Sequence, residues 1–171
     1  MSLRIPVNEH DQGQGDPDAP IVLVEYGDYE CPHCGRAYPI VKQLQQHFGK
    51  KLYFVFRNFP LTEVHPHALA AATVAESAAL QGKFWQIHDS IFEHQDQLNV
   101  KSLIHYSKVN GVDIGKLEED MTSQQVLDKI EGDIDGGLRS GVNGTPTFFV
   151  NGRRYDEDYS YPVFKEYLES L

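Results

Sequence analysis

Hydrophobic residues follow two different periods along the chain, and these predict an alternation of strands and helices. Residues 21–26, with the sequence IVLVEY, form a nearly continuous apolar run, which is typical of a strand covered on both faces. From residue 38 onward, apolar side chains recur at every third or fourth position until Gly49, which predicts a helix that starts at residues 31–34. A second apolar run at residues 52–56, LYFVF, predicts another strand. The order predicted for this part of the chain is β-α-β.

The middle of the chain, residues 66–140, has a helical pattern throughout. An alanine-rich helix is predicted at residues 67–80, a second around the apolar stripe at residues 84–92, and a third before Asn110-Gly111. A last helix is predicted to start at Ser123, and its apolar face is formed by Val126, Leu127, Ile130, Ile134 and Leu138. This helical block separates the N-terminal β-α-β segment from the C-terminal part.

The C-terminal part predicts a hairpin followed by a closing helix. Residues 147–150 and 153–155 flank Asn151-Gly152, a pair that suits a two-residue type I′ turn. Residues 163–171 then carry apolar side chains at helical spacing, so the order here is β-β-α and the whole pattern predicts an α/β fold. Residues 8–20 are polar and rich in Gly and Pro, which predicts an extended lead-in with turns and no regular element.

Length, charge and hydropathy narrow the class of protein. With 171 residues, the chain fits one domain of roughly 150 residues with an insertion. No basic run offsets the net charge of −10, which argues against binding to nucleic acid or anionic lipid and leaves neutral or cationic partners. No segment approaches the roughly 20 consecutive apolar residues of a membrane span.

The N-terminal residues carry no recognisable export signal. Residues 1–20 are polar and lack the apolar stretch of a signal peptide, so a cytoplasmic location is expected for the chain as written. Met1-Ser2-Leu3 could instead stand in place of a removed signal, in which case the protein would be periplasmic or otherwise extracytoplasmic.

Both cysteines of the chain lie in one short motif, Cys31-Pro32-His33-Cys34. A thiol attacks as its thiolate, and a thiol with the ordinary pKa of about 8.5 is mostly protonated at neutral pH. The N-terminus of the predicted helix carries a partial positive charge, to which a protonated His33 would add. Asp28 and Glu30 oppose this effect, but their side chains can point into water. We therefore predict a lowered pKa for Cys31.

The motif predicts different roles for its two thiols. Cys34 lies one turn into the helix and is expected to be buried and protonated until it reacts. Cys31 would attack a disulfide to form a mixed disulfide, and Cys34 would resolve it by closing the Cys31–Cys34 bond; the reverse sequence donates a disulfide. Glu25 in the preceding strand could accept the proton of Cys34, because burial in apolar surroundings raises the pKa of a carboxyl group.

Simpler interpretations of these residues stay open. The two cysteines could bind zinc together with His65 and His67, although these histidines fit better in a loop that enters the alanine-rich helix. Glu25 could form a structural ion pair with Arg57. His88 is expected to serve helix packing.

Three features together resemble the DsbA-like thiol–disulfide oxidoreductase family, and the resemblance covers residues 16–171. The dipeptide between the cysteines, Pro32-His33, is typical of DsbA. Residues 141–147, GVNGTPT, resemble the family's Gly-Val-x-Gly-Thr-Pro segment, and the helical block lies where the family inserts its helical subdomain.

The resemblance implies a thioredoxin-like fold with an inserted helical subdomain. Residues 1–171 would form a single domain, in which residues 16–65 and 141–171 build the thioredoxin core and residues 66–140 the insertion. The activity implied is that of a protein thiol–disulfide oxidoreductase.

The resemblance also assigns roles to particular residues. Pro146 would follow a cis peptide bond, and Thr145 before it would pair with an extended substrate strand close to Cys31. Glu25 matches the buried acid of the family, but the neighbouring strand has no Lys where relatives often place the partner of that acid. The expected catalytic residues are Cys31, Pro32, His33, Cys34 and Glu25, and the expected substrate-binding residues are Thr145 and Pro146.

The expected partners are unfolded or disulfide-containing polypeptides and a redox partner protein. The enzyme would be a monomer that needs no metal or cofactor beyond its cysteine pair. The Pro-His dipeptide favours an oxidising couple by analogy with DsbA, whereas a cytosolic location would hold the pair reduced. A reductase, a disulfide isomerase of the same fold and a non-catalytic thioredoxin-like binding module are the alternatives. The binding module does not explain why both cysteines lie in one reactive motif.

Overall fold

Five strands form one sheet in the computed structural model, which describes residues 1–171. Their order in the sheet is β1-β3-β2-β4-β5. The strands are β1 (Gln12–Gln14), β2 (Ile21–Gly27), β3 (Leu52–Asn58), β4 (Thr147–Val150) and β5 (Arg153–Tyr155). Strands β2 to β5 were all predicted from the hydrophobic pattern, and the predicted β-α-β and β-β-α segments are confirmed.

The chain divides into two compact units, and the first contains most of the sheet. It consists of residues Met1–Gly27, Pro32–Arg57 and Gly136–Leu171. Helices α1 (Pro32–Phe48) and α7 (Tyr161–Glu169) belong to it and contact each other. Its core is made of side chains that are at most 2% exposed, and each contributes roughly 1.5–3 kcal/mol through burial. They include Leu23, Leu44, Phe56, Phe149 and Phe164.

The hairpin β4-β5 has the predicted turn. Asn151 and Gly152 connect the strands with φ angles of 48° and 82°, so both occupy the left-handed region that a type I′ turn requires. Phe149 then lies opposite Arg154, and Val150 lies opposite Arg153. The Asn-Gly pair therefore sets the register of this hairpin.

Strand β1 was not predicted, and the expectation that residues 8–20 contain no regular element is wrong at this point. Gln12 and Gln14 pair antiparallel with Phe56 and Phe54 of β3. A Cβ atom at Gly13 would overlap the ring of Tyr53, so glycine lets β3 approach this edge. The sequence QGQ has no apolar alternation, and only backbone pairing with a distant strand makes it a strand.

The second unit is helical and consists of Asp28–Cys31 and Asn58–Asp135. Its helices are α2 (Ala68–Ala79), α3 (Phe84–Glu93), α4 (Val100–Val109), α5 (Ile114–Met121) and α6 (Gln124–Arg139), of which α6 continues into the first unit. The boundaries predicted for the helical insertion, residues 66 and 140, differ from those of this unit, which also holds the four residues that end at Cys31.

Helix α5 was missing from the predicted elements because little of it is apolar. Leu117 is its one buried residue, and the rest of the helix is largely charged. Asp113 is the N-cap of the helix, and its carboxylate accepts a hydrogen bond from the backbone N–H of Lys116. This N-cap and the contacts of α5 with α2 and α4 fix the helix in place.

The predicted apolar face of α6 is partly wrong. Val126 and Ile130 are buried, but Leu127 is 45% and Leu138 is 60% exposed. Asp133, which lies on the same side of the helix seven residues after Val126, is buried as well. The buried face of α6 therefore includes this carboxylate. No helix of the chain is both long enough and apolar enough to cross a membrane.

Candidate active site

The two cysteines lie near each other where helix α1 begins. Pro32 is the first residue of the helix, a position that proline favours because its missing N–H is not needed there. The residue Cys31 is 4% exposed and Cys34 is 0% exposed, so the predicted burial of Cys34 is confirmed. Pro32 and His33 between them are exposed. Cys31 is therefore the more accessible of the two thiols.

A positive charge that sequence reasoning did not consider lies next to His33. The guanidinium of Arg36 donates a hydrogen bond to Nδ1 of His33 in the first turns of α1. Since arginine stays charged at every physiological pH, Arg36 supplies a permanent cation on this exposed surface.

The turn that leads to Cys31 is built around the carboxylate of Asp28. The backbone N–H of Cys31 donates to the Asp28 carbonyl at 3.1 Å. The Asp28 carboxylate accepts from the backbone N–H groups of Glu30 and Leu61, each at 2.8 Å, and bonds to Nδ1 of His65 at 2.7 Å. Its side chain is 0% exposed, so the expectation that Asp28 points into water is wrong. Hydrogen bonds from Leu61 and His65, which are distant in the chain, keep the Asp28 carboxylate buried.

The Glu30 carboxylate binds to His67, in the segment that leads into helix α2. Its Oε1 accepts from the backbone N–H of His67 at 2.8 Å, and its Oε2 lies 3.8 Å from the imidazole of His67. His67 occupies the N-cap position of α2, which confirms the predicted loop into this helix. His65 and His67 thus each face one of the two carboxylates before Cys31.

Several charges act on the pKa of His65. Burial by itself lowers it, because a protonated imidazole loses hydration. The hydrogen bond to Asp28 and the negative charges of Asp28, Cys31 and Glu30 act in the opposite direction, and the net result is a raised pKa. The positively charged form of His65 is therefore favoured beside Cys31.

Gln95 holds the backbone of the segment that ends at Cys31. Its Nε2 donates to the carbonyl of Tyr29 at 3.0 Å and to the carbonyl of Cys31 at 2.7 Å. The hydroxyl of Tyr29 bonds to Nδ1 of His88 at 2.9 Å, and the His88 ring packs on Phe92, as expected for a packing role. No local sequence signal marks Gln95, because its partners lie far away along the chain.

Glu25 is buried in β2, as predicted, and is 3% exposed. A Cβ at Gly27 would lie 2.7 Å from Oε2 of Glu25 and would overlap the ring of Phe56, so the carboxyl and this ring both adjoin Gly27. The guanidinium of Arg57, weighed as a structural partner of Glu25, instead forms its ion pair with Asp11.

The peptide bond between Thr145 and Pro146 is cis, which confirms the expectation for this bond. It directly precedes β4, and Thr147, the first residue of β4, lies opposite Tyr26 of β2. The hydroxyl of Thr147 donates to the carbonyl of Gly144 at 2.7 Å and steadies the turn before the strand. The cis bond thus adjoins the end of β2 that leads into the cysteine motif.

These features define a class of protein. A buried Cys-x-x-Cys pair at the start of a helix, a cis-proline before the strand next to β2 and a run of helices that follows β3 and precedes β4 in the chain make up a thioredoxin-like fold of the DsbA type. A family model described as thioredoxin matches residues 8–170, and the chain belongs to this family.

Solved structures of DsbA-like proteins share the fold. BdbD from Bacillus subtilis is 25% identical with a TM-score of 0.85, and the match covers 96% of this chain and 94% of that one. A thioredoxin-like oxidoreductase from Silicibacter pomeroyi is 24% identical with a TM-score of 0.85, over 95% and 92% of the two chains. The α-DsbA1 protein of Wolbachia pipientis is 22% identical with a TM-score of 0.83, over 99% and 94%.

Some curated proteins are more similar to this chain in sequence than these solved structures are, and they are named as antiporters. A Na(+)/H(+) antiporter NhaA 1 from Mycobacterium sp. strain KMS is 44% identical over 158 residues, which are 91% of this chain and 26% of that protein. The NhaA 1 antiporter of Salinispora arenicola is 42% identical over 161 residues, 94% of this chain and 24% of that protein. The chain spans about a quarter of the length of these relatives.

Proposed function

We propose that this chain is a protein thiol–disulfide oxidoreductase in which Cys31 attacks and Cys34 resolves. The observation that carries the proposal is the burial of the pair at the start of α1, with Cys31 at 4% exposure and Cys34 at 0%. Cys31 is the more exposed residue of the pair, which supports its assignment as the attacking thiol. The family and the DsbA-like fold support the same chemistry.

Disulfide donation proceeds in two exchanges. A substrate thiolate attacks the Cys31 sulfur of the Cys31–Cys34 disulfide, which forms a mixed disulfide and releases Cys34 as a thiolate. A second substrate thiolate then attacks the substrate sulfur, and Cys31 leaves as a thiolate. The substrate loses two electrons and the cysteine pair gains them. In this scheme Glu25, buried in β2, serves as the proton acceptor and donor of Cys34.

Polypeptides with cysteines are the substrate class that we propose. The segment at Thr145 and Pro146 precedes β4 and would pair with an extended stretch of substrate. Backbone pairing of this kind discriminates little between substrates with different side chains. This suits an enzyme that acts on many unfolded polypeptides. The reaction uses the cysteine pair itself and no further cofactor.

The antiporter relatives do not change this proposal. They are named for sodium–proton exchange, but the similarity covers about a quarter of their length, and within it the chain has the thioredoxin pattern. An oxidase role would go with an oxidising compartment outside the cytosol, and a reductase role with the cytosol.

Two assays test the proposal. Reduced, unfolded ribonuclease should regain activity with the oxidised protein, or insulin disulfides should be reduced by the reduced protein, and Cys31→Ser should abolish either activity. A conservative change of an exposed residue away from the site, Ser170→Ala, should keep it. Circular dichroism of both variants shows that the fold is intact. Absence of thiol-dependent turnover in both assays would favour the non-catalytic binding module.

The direction of electron flow is given by the reduction potential of the cysteine pair. Equilibration in glutathione buffers measures it, and we expect a value on the oxidising side of thioredoxin at about −270 mV. A value close to that of thioredoxin would instead assign a reductase role.

A further inference from the structure

An imidazole held by a buried carboxylate lies in the same unit as Cys31. His65 bonds through Nδ1 to Oδ2 of Asp28 at 2.7 Å. The backbone N–H of Cys31 donates a hydrogen bond to the backbone carbonyl of the same residue, Asp28, at 3.1 Å. One residue therefore ties the nucleophile's backbone and the His65 ring together.

The Asp28 carboxylate is held in place by hydrogen bonds. Both of its oxygens accept hydrogen bonds, Oδ1 from the backbone N–H of Glu30 and Oδ2 from the backbone N–H of Leu61 and from His65. The bond between Nδ1 of His65 and Oδ2 of Asp28 fixes the orientation of the His65 ring.

The charges that act on His65 can be named. Asp28, Glu30 and the Cys31 sulfur act on His65 as negative charges, and they raise its pKa against the lowering effect of burial. Electrostatic coupling between two groups is reciprocal, so a cationic His65 favours the Cys31 thiolate to the same extent that the thiolate favours the cation. Glu30 opposes the thiolate, but it is itself paired with His67.

We propose that His65, oriented by Asp28, stabilises the thiolate of Cys31 with its positive charge. This inference rests on the proposed function, because it assigns a residue to the attack by Cys31. Cys31 loses its proton to water, and His65 keeps its own proton, so the residue acts through charge. A stabilised thiolate also stabilises the reduced pair, which makes the protein a stronger oxidant.

The role of His65 is tested by measuring how the ionisation of the Cys31 thiol depends on pH. In a Cys34→Ser background, the rate of alkylation by iodoacetamide and the ultraviolet absorbance of the thiolate both report the ionisation of Cys31. His65→Gln should raise the pKa of Cys31 by roughly one unit, which is a tenfold loss of thiolate below that pKa. His65→Lys keeps a positive charge and should restore most of the shift.

His67→Gln is the matched control, since His67 also faces a carboxylate before Cys31 and lies in the same loop. It should move the pKa of Cys31 by less than a third of the His65→Gln shift. A wholly structural role of His65 would be revealed if His65→Gln left the pKa unchanged, or if His65→Lys failed to restore it. Each of these results overturns the inference.

Different results would contradict this inference and the proposed function. With Cys34 present, His65→Gln should lower the equilibrium constant for oxidation of glutathione about tenfold, or about 30 mV. If the pKa of Cys31 is independent of His65 while the wild type still turns over, the inference is wrong and the proposed function stands. If the wild type has no turnover but the pKa shift is observed, only the proposed function is wrong.

Discussion

Arg57 and Asp11 form a bidentate ion pair in which both side chains are almost completely buried. Nε of Arg57 donates to Oδ1 of Asp11 and Nη2 donates to Oδ2, each at 2.8 Å, and the two side chains are 3% and 4% exposed. The guanidinium also donates to the hydroxyl of Tyr26 and to the carbonyl of Ile5. One side chain of β3 thus fixes the N-terminal segment and a residue of β2.

Asp11→Ala should strongly destabilise the protein. The change leaves the Arg57 cation buried without its carboxylate, and breaking a buried pair in this way costs about 3–5 kcal/mol of the free energy of unfolding. Urea denaturation measures the loss. The double variant Asp11→Ala with Arg57→Met should recover part of it, because no buried charge then lacks its partner. A loss below about 1 kcal/mol in the single variant would contradict this account.

The His65–Asp28 pair should make stability depend on pH. Folding raises the pKa of His65 above its ordinary value of 6.5, so the folded protein binds the proton more tightly than the unfolded chain does. The pair's contribution is fully present below pH 6.5 and is lost as the pH rises through the pKa of the folded state.

The measurement is the free energy of unfolding of the wild type and of His65→Gln between about pH 5 and about pH 9. The difference between the two proteins should shrink as the pH increases. A difference that is constant or grows over this range would show that His65 does not gain a proton on folding.

Cys34→Ser should trap the substrate complex. Without its resolving thiol, Cys31 attacks a disulfide-containing polypeptide and releases one of its sulfurs as a thiolate, so the Cys31 mixed disulfide should accumulate, and mass spectrometry of a non-reduced digest should locate the bond at Cys31. Cys31→Ser should form little such adduct, because Cys34 is 0% exposed. Equal adduct formation by the two variants would show that the roles of the thiols are not separate.

Glu25→Gln should slow the step that involves Cys34. Loss of the proton acceptor should lower the rate of closure of the Cys31–Cys34 disulfide by about tenfold to hundredfold near neutral pH. Stopped-flow mixing of the reduced protein with a small disulfide separates this closure from the first attack by Cys31. The rate of that first attack should change less than threefold, and a larger effect there would assign Glu25 to Cys31 instead.

Asn58→Asp should destabilise the helical unit. Nδ2 of Asn58 donates to Glu76 at 2.7 Å and to Asp133 at 2.9 Å, and Asn58 is 1% exposed. An aspartate has no donor here and adds a buried negative charge, so the free energy of unfolding should fall by at least about 3 kcal/mol at pH 7. Asn58→Ala should cost less than Asn58→Asp in urea denaturation, and the reverse order would contradict the charge argument.

The local patterns of the sequence predicted most of the architecture. The apolar run of β2, the helical spacing after Cys34 and the Asn151-Gly152 turn can each be recognised within a short stretch of consecutive residues. These patterns also placed Cys34 inside a helix and predicted its burial. Strand β1 was missed because its residues, QGQ, show no hydrophobic period, and only its pairing with β3 makes it a strand.

The sequence by itself determined the order of strands β2 to β5 and of the helices other than α5, the position of the cysteine pair at the start of α1 and, through the resemblance, the cis bond before Pro146. Only the tertiary structure decided what surrounds Cys31. Asp28 and His65 are 37 positions apart, and Gln95 is 64 positions from the carbonyl that it binds. Hydrophobic periodicity records which face of an element is buried, but polar partners are chosen by the loops that bring distant residues together, and no local period marks them.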